Sequence, residues 1–203
     1  MVPEFWSEAK SQLARRDKVL RALIRRFPEA DLVSRGDAFQ TLCRSIVGQQ
    51  ISVKAAQSIW GRFAQACGEV VPQAVLALPV ETMRNCGLSG AKARYMQDLA
   101  AHFDSGEVRP RRWARMDDEA IIEELVRVKG IGRWTVEMFL IFHLKRPDVL
   151  PVDDLGLRRA MERAYNEGGP LTKDEMRAIG QRWSPWSSVA TWYLWRSLDE
   201  VAL

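Results

Sequence analysis

Cysteine and histidine are scarce. The three cysteines, Cys43, Cys67 and Cys86, are widely spaced and include no Cys-x-x-Cys pair. An odd, scattered set of this kind excludes a disulfide framework. It also lacks the ligand spacing of a zinc site or an iron–sulfur cluster. The expectation is buried thiols in a reducing compartment. The two histidines, His102 and His143, lie far apart and form no metal-ligand motif. No apolar run reaches the ~18 residues that a membrane span needs, and MVPEFWSEAK at the N-terminus has no long apolar core. Alternation of apolar and polar residues, the mark of a half-buried strand, does not occur convincingly anywhere. Neither a 20–50 residue repeat nor a low-complexity tract is present. These absences point to a cytoplasmic, soluble protein with no membrane contact and no resident metal cluster, and separately a monomer is expected.

What is present is helical. Over 203 residues, 47% are hydrophobic, enough for a packed core. Apolar stripes at helical spacing run through Phe5, Trp6, Ala9 and Leu13, then Leu20, Leu23, Ile24 and Phe27, and again through Phe39, Leu42, Cys43, Ile46 and Val47. Ser52 and Asp117 stand where N-caps belong, and Thr172 with Glu175 has the spacing of a capping box. Ser184-Pro185 is expected to open the last helix. The class is all-α. The net charge of +4 and a pI near 9.1 are compatible with a nucleic-acid partner. More specific are two cationic clusters, Arg15, Arg16, Lys18, Arg21, Arg25 and Arg26, and then Arg109, Arg111, Arg112 and Arg115.

One stretch concentrates the chemistry. Leu125 to Asp154 reads LVRVKGIGRWTVEMFLIFHLKRPDVLPVDD. An apolar segment turns at Lys129-Gly130-Ile131-Gly132 and resumes as a helix at Arg133. The two glycines permit unusual backbone angles and close approach, while Ile131 can plug the turn into a core. The helix from Arg133 presents N–H groups at its positive end, where an anion is stabilised. Gly130, Ile131, Gly132, Arg133 and Thr135 are therefore candidates for gripping a DNA phosphate, a contact that positions without reading sequence. The stretch closes on two carboxylates, Asp153 and Asp154. Read from the residues alone, both could simply cap the helix that follows.

The hairpin Leu125-x-x-Val128-Lys129-Gly130-Ile131-Gly132-Arg133-Trp134-Thr135, followed by Pro151-Val152-Asp153-Asp154, resembles the helix–hairpin–helix DNA glycosylase superfamily, and within it the bacterial 3-methyladenine DNA glycosylase II branch. The likeness extends to Arg44-Ser45-Ile46-Val47-Gly48-Gln49-Gln50-Ile51-Ser52 and Trp183-Ser184-Pro185-Trp186-Ser187-Ser188. It implies two helical lobes with an active-site cleft between them. One lobe would be residues 36–148, carrying the hairpin at 125–144. The other would join residues 1–35 to 149–203.

The resemblance also implies roles. Asp-Asp followed by three residues and a basic residue, Arg158, places catalysis on Asp154. Its neighbours in a base pocket would be Trp134, Trp195, Met138, Glu137 and Asp153. Glu137 reads otherwise as a helix-surface residue, and Asp153 as a neighbour or cap. Gln50, with Gln49 beside it, would fill the gap left by the flipped base, where the best-known relative has leucine. Bifunctional relatives carry a nucleophilic lysine at the position of Trp134, and an indole cannot form a Schiff base. The implied activity is a monofunctional glycosylase that removes alkylated purines from duplex DNA with water as nucleophile. A sodium or potassium ion on the carbonyls of Val126, Val128 and Ile131 is the one cofactor this pattern allows. The same residues admit two other readings, a glycosylase for mismatched, deaminated or oxidised bases and a non-catalytic DNA-binding hairpin.

Overall fold

The computed structural model describes residues 3–29 and 37–198, and every regular element among them is helical. In chain order these are α1 (Trp6–Arg16), α2 (Lys18–Arg26), α3 (Ala38–Gly48), α4 (Val53–Cys67), α5 (Pro72–Ala77), α6 (Val80–Asn85) and α7 (Gly90–Asp104). A 3-10 turn at Pro110–Arg115 follows, then α8 (Asp118–Leu125), α9 (Arg133–Phe142), α10 (Leu155–Tyr165), α11 (Lys173–Gly180) and α12 (Ser187–Arg196). The expected caps form. Ser52 accepts from the Ala55 amide, Asp117 from the Ala120 amide, and Thr172 and Glu175 close a full capping box.

Two compact units result, Met1–Val33 with Leu140–Leu203, and Ser34–Phe139. The expected boundary at residue 35 lies outside the described residues. The second boundary falls at Phe139/Leu140, inside α9, and not at 148/149. The shift follows from packing. Phe139 sits edge-on to Trp113 at 5.4 Å within the second unit, whereas Phe142 and Leu150 pack on the core of the first.

The first unit is built around α12. All eight residues from Ser187 to Leu194 are buried, as expected of a central helix that is enclosed on every side. Its start is set from a distance. Asp148 accepts from the Ser187 amide and hydroxyl and from the Ser184 hydroxyl, while Ser188 bonds the Pro147 carbonyl and the Val149 amide. The helix therefore begins at Ser187, two residues after the proline expected to open it.

Asp17 ties the N-terminal helices to the same unit. It is 4% exposed and caps α2, accepting from the amides of Val19 (2.8 Å) and Leu20 (3.1 Å). Its other oxygen accepts from the Tyr165 hydroxyl (3.0 Å) and the Trp183 indole N–H (3.3 Å). Burial, reinforced by the Asp17 charge, pushes the Tyr165 phenol well above its ordinary range, so it remains a donor.

In the second unit α7 is the central element, packing on α3, α5 and α6. Its inward residues Ala93, Met96, Leu99 and Ala100 are buried. The arginine-rich connection expected before α8 is pinned by the 3-10 turn, where Trp113 is buried and donates its indole N–H to Glu124 at 2.7 Å. Cys43 and Cys86 are buried and Cys67 partly so, all as free thiols. Burial pushes the Cys67 thiol up to about 11, far from a thiolate nucleophile.

Asp17→Ala removes a cap and strands two buried donors, Tyr165 and Trp183. Urea denaturation should show a loss of about 2–4 kcal/mol. A loss below about 1 kcal/mol would mean that the four bonds do not hold the N-terminal helices in place.

Candidate active site and nucleic-acid interface

The second unit holds the hairpin. After α8 the chain turns through Val128, whose carbonyl accepts from the Ile131 amide at 3.1 Å. Val128 and Ile131 are buried, so the turn is plugged from inside as expected. Gly130 has φ +82°, and a Cβ there would fall inside the Tyr95 ring. Both constraints demand glycine. Gly132 differs from the expectation that it too serves an unusual backbone angle. Its φ is not positive, and a Cβ there would meet nothing within 4 Å. It leaves open room in front of α9, whose first-turn amides point out of the helix.

Helix α7 holds the hairpin from behind. Asp98 accepts from the Lys129 amide at 2.8 Å and pairs with its ammonium at 3.3 Å. Burial alone would raise the Asp98 carboxyl. The hydrogen bonds and charge of Lys129 outweigh it and hold the group below the usual carboxylate range. Lys92, also on α7, donates to the carbonyls of Val47 (2.8 Å) and Gln49 (2.7 Å), closing the end of α3. Desolvation lowers its ammonium below the ordinary lysine value. Gln49 in turn donates to the Gly130 carbonyl at 2.8 Å. The loop at Gly48-Gln49-Gln50 is thus bound to the hairpin. Gln50, at its tip, is exposed with φ +58°.

Between loop and hairpin lies a cavity of about 240 Å³ walled by Ser45, Gly48, Gln49, Gln50, Trp134, Thr135 and Met138. Trp134 is 46% exposed, unusual for an indole, and offers a face to a planar ligand. Trp134, Thr135, Met138, Gln49 and Gln50 were all expected at the site. Ser45 and Gly48 belong to the quoted motif but carried no assigned role. Lys92, Tyr95 and Asp98 were not singled out, because nothing in a helical stripe marks a residue that braces a loop far away in sequence.

One expectation for this unit is corrected, that for Glu137. The Arg133 guanidinium is held within the protein. It makes a bidentate pair with Glu119 at 2.7 Å and a bond to Glu137 at 3.0 Å. The Glu119 carboxylate leads in raising the Arg133 pKa further above its usual value. Glu137 is neither a surface residue nor part of the cavity wall. It is 4% exposed and faces Arg133 one turn earlier on α9.

The first unit holds the carboxylates. Asp154 is the N-cap of α10. Its Oδ1 accepts from the Leu157 amide at 2.6 Å and from the Trp195 indole N–H at 2.8 Å. Trp195 stacks on Phe142 at 5.6 Å and 15°. A Cβ at Gly156 would press on both Asp154 Oδ1 (3.1 Å) and Trp195 (3.3 Å). Trp195, expected as a pocket aromatic, is in this structure the residue that positions Asp154. Asp153, expected beside the base or as a cap, is exposed and ion-paired with Lys173, and the cap falls to Asp154 because α10 begins one residue later than a cap at 153 would require.

Residues 43–185 match the HhH-GPD superfamily of base excision DNA repair proteins. The chain belongs to that superfamily. It is 34% identical over 165 residues to DNA-3-methyladenine glycosylase 1 of Schizosaccharomyces pombe, covering 79% of this chain and 72% of that protein. A crystal structure of a DNA-3-methyladenine glycosidase from Bacillus halodurans superposes with a TM-score of 0.88 at 36% identity, over 96% of this chain and 90% of the other. The S. pombe 3-methyladenine DNA glycosylase in complex with abasic DNA superposes with a TM-score of 0.80 at 31% identity, over 95% and 97% of the two chains. The hairpin, the glutamine loop and Asp154 all fall within the HhH-GPD match.

Gly130→Ala should destabilise the protein by about 1–2 kcal/mol through its positive φ, plus the displacement of Tyr95. Urea denaturation of Gly130→Ala with Tyr95→Ala separates the two effects, since the second change relieves only the ring clash. For Asp98, a lowered folded pKa means the bond to Lys129 is complete above the ordinary aspartate value of about 3.9 and fades as pH falls through the folded value. NMR titration of the Lys129 amide should give a midpoint below that value. A midpoint at or above it would show that the bond does not form.

Proposed function

We propose that this protein is a monofunctional DNA glycosylase that excises alkylated purines of the 3-methyladenine and 7-methylguanine type from duplex DNA. The observation that carries this reading is the Asp154 carboxylate, fixed at the start of α10 by the Leu157 amide and the Trp195 indole. Cleaving an N-glycosidic bond leaves oxocarbenium-like charge on the deoxyribose, and a fixed anion stabilises it. The same carboxylate can orient or deprotonate the attacking water. The exposed face of Trp134 suits a flipped, positively charged purine by stacking and cation–π attraction, worth about 0.5–2 kcal/mol.

Other features support the partner and reaction type. The open space at Gly132 in front of the α9 amides suits a backbone phosphate of double-stranded DNA carrying a damaged base. The exposure of Gln50 at a loop tip tied to the hairpin supports the wedge role for it. Trp134 stands where a lyase would need an amine, so water is the nucleophile and the product strand stays intact. The Val128 carbonyl accepts one amide within the turn and has a second lone pair, which a sodium or potassium ion shared with the Val126 and Ile131 carbonyls would use. Action on chromosomal DNA would place the protein in the cytoplasm, where we expect it to work as a monomer.

Asp154→Asn keeps an oxygen for the cap and removes the charge. Single-turnover excision of 7-methylguanine should fall about 100–1000-fold with duplex affinity little changed. Asp153→Asn should stay near wild type, and loss of excision in that variant instead would move the catalytic role. The excised strand should break only after heat or alkali, so breakage by purified protein alone would refute the monofunctional assignment.

A further inference from the structure

The first unit carries a second concavity, of about 600 Å³, which the base-release chemistry does not use. It is walled by the end of α1, the start of α2, the end of α10 and Arg182 beyond α11. Six cations line it, Arg15, Arg16, Lys18, Arg21, Arg163 and Arg182, against two carboxylates, Asp17 and Glu167. The charge of Asp17 is already engaged by four hydrogen-bond donors.

Three of the six cations have internal work. Arg16 donates to the Ser184 carbonyl (2.7 Å) and to Gln12 (2.9 Å). Arg21 donates to the Ala14 carbonyl (2.6 Å) at the end of α1, and Arg182 lies over the Tyr165 ring at 6.0 Å. The side chains of Arg15, Lys18 and Arg163 are exposed and, among the described residues, make no hydrogen bond or ion pair. Helix-end electrostatics accounts for Arg15 and Arg163 singly, since each stands in a last turn. It does not account for their convergence with Lys18 on one concavity, which like-charge repulsion opposes unless an anion is bound there.

The spacing along α10 distinguishes this place from the catalytic one. Asp154 caps the helix and Arg163 lies in its last turn. At 1.5 Å rise per residue they are separated by about 14 Å along the axis. That equals about four base-pair steps of DNA at 3.4 Å per step on one strand. A phosphate held by Arg163 is therefore not the one flanking the nucleotide at Asp154.

We propose that this concavity is a second phosphodiester-binding site, taking the DNA backbone beyond the released base, either the flank of the same duplex or a second duplex. The inference rests on the reading of the protein as a DNA glycosylase.

The test uses the full chain with Arg15→Ala, Lys18→Ala and Arg163→Ala combined, and a second variant with Arg15→Lys and Arg163→Lys that keeps the charges. Affinity for a lesion duplex of about 30 base pairs is measured across salt concentrations. Each lost phosphate contact should lower the slope of log affinity against log salt by about 0.9, so the triple alanine variant should lose roughly 2–3 units of slope. The lysine variant should retain the slope, and single-turnover excision at saturating enzyme should match wild type in both. Flank binding shows as a deficit on the long duplex that shrinks on one of equal length whose lesion lies about two base pairs from one end or the other, too few steps to reach the concavity. Second-duplex binding shows as loss of a complex of one protein with two duplexes. Equal slopes for the triple variant and wild type, with no change in stoichiometry, overturn the proposal. Wild-type protein that neither binds nor excises any lesion duplex would instead overturn the glycosylase reading.

Discussion

The Asp154 carboxylate is fixed from two directions, by the Leu157 amide within its own helix and by the Trp195 indole from α12. A side chain held by two donors loses rotamer freedom before any substrate arrives, and that preorganisation is what electrostatic catalysis requires. The cost is carried by the packing of the unit. Helix α10 sets its line by burying Leu157, Ala160 and Met161, and α12 is enclosed over eight residues so that Trp195 emerges beside the cap. Gly156 keeps the space between carboxylate and indole free of a Cβ. A carboxylate that caps a helix can also serve in catalysis, so a cap role is no argument against the chemical one proposed for Asp154.

The second unit applies the same logic to backbone. The positive φ at Gln50 is a strained arrangement that persists only when surroundings over-determine it, and the positive φ at Gly130 is one that only glycine adopts without strain. Lys92 holds the loop by two carbonyls, Gln49 joins loop to turn, and Tyr95 and Asp98 back the turn. Lys92, Tyr95 and Asp98 all lie on α7, spaced three residues apart along one buried helix. A single helix thus sets both walls of the cavity at Trp134.

What could be read from the sequence divides along contact range. Local devices were legible. The caps at Ser52, Asp117 and Thr172, the glycine at 130 and the buried plug at Ile131 each depend on residues a few positions apart. Long-range choices were not. Nothing near Arg133 in the sequence shows that Glu119, fourteen residues earlier, takes both of its terminal nitrogens. Glu137 looks like a surface residue, yet it is buried and its carboxylate accepts from the half-exposed guanidinium of Arg133. Helix α12 starts at Ser187 because Asp148 accepts the amide there, a fact that a local reading of Ser184-Pro185 cannot contain. Between Asp153 and Asp154, pattern alone offered two caps, and only the register of α10 and the reach of Trp195 separate them.

The pairing of hairpin cations has an electrostatic consequence. Of Arg127, Lys129 and Arg133, two are matched by carboxylates, Lys129 by Asp98 and Arg133 by Glu119 and Glu137. An anion approaching this turn meets backbone amides and little uncompensated side-chain charge. Such a grip is short-ranged and geometric, suited to fixing one phosphate and poor at drawing DNA in from a distance. Attraction over a Debye length has to come from cations without internal partners. Among the described residues of the first unit, Arg15, Lys18 and Arg163 meet that description. On the proposed reading the chain separates two demands on a DNA enzyme, with local register assigned to neutral backbone and long-range attraction to exposed charge.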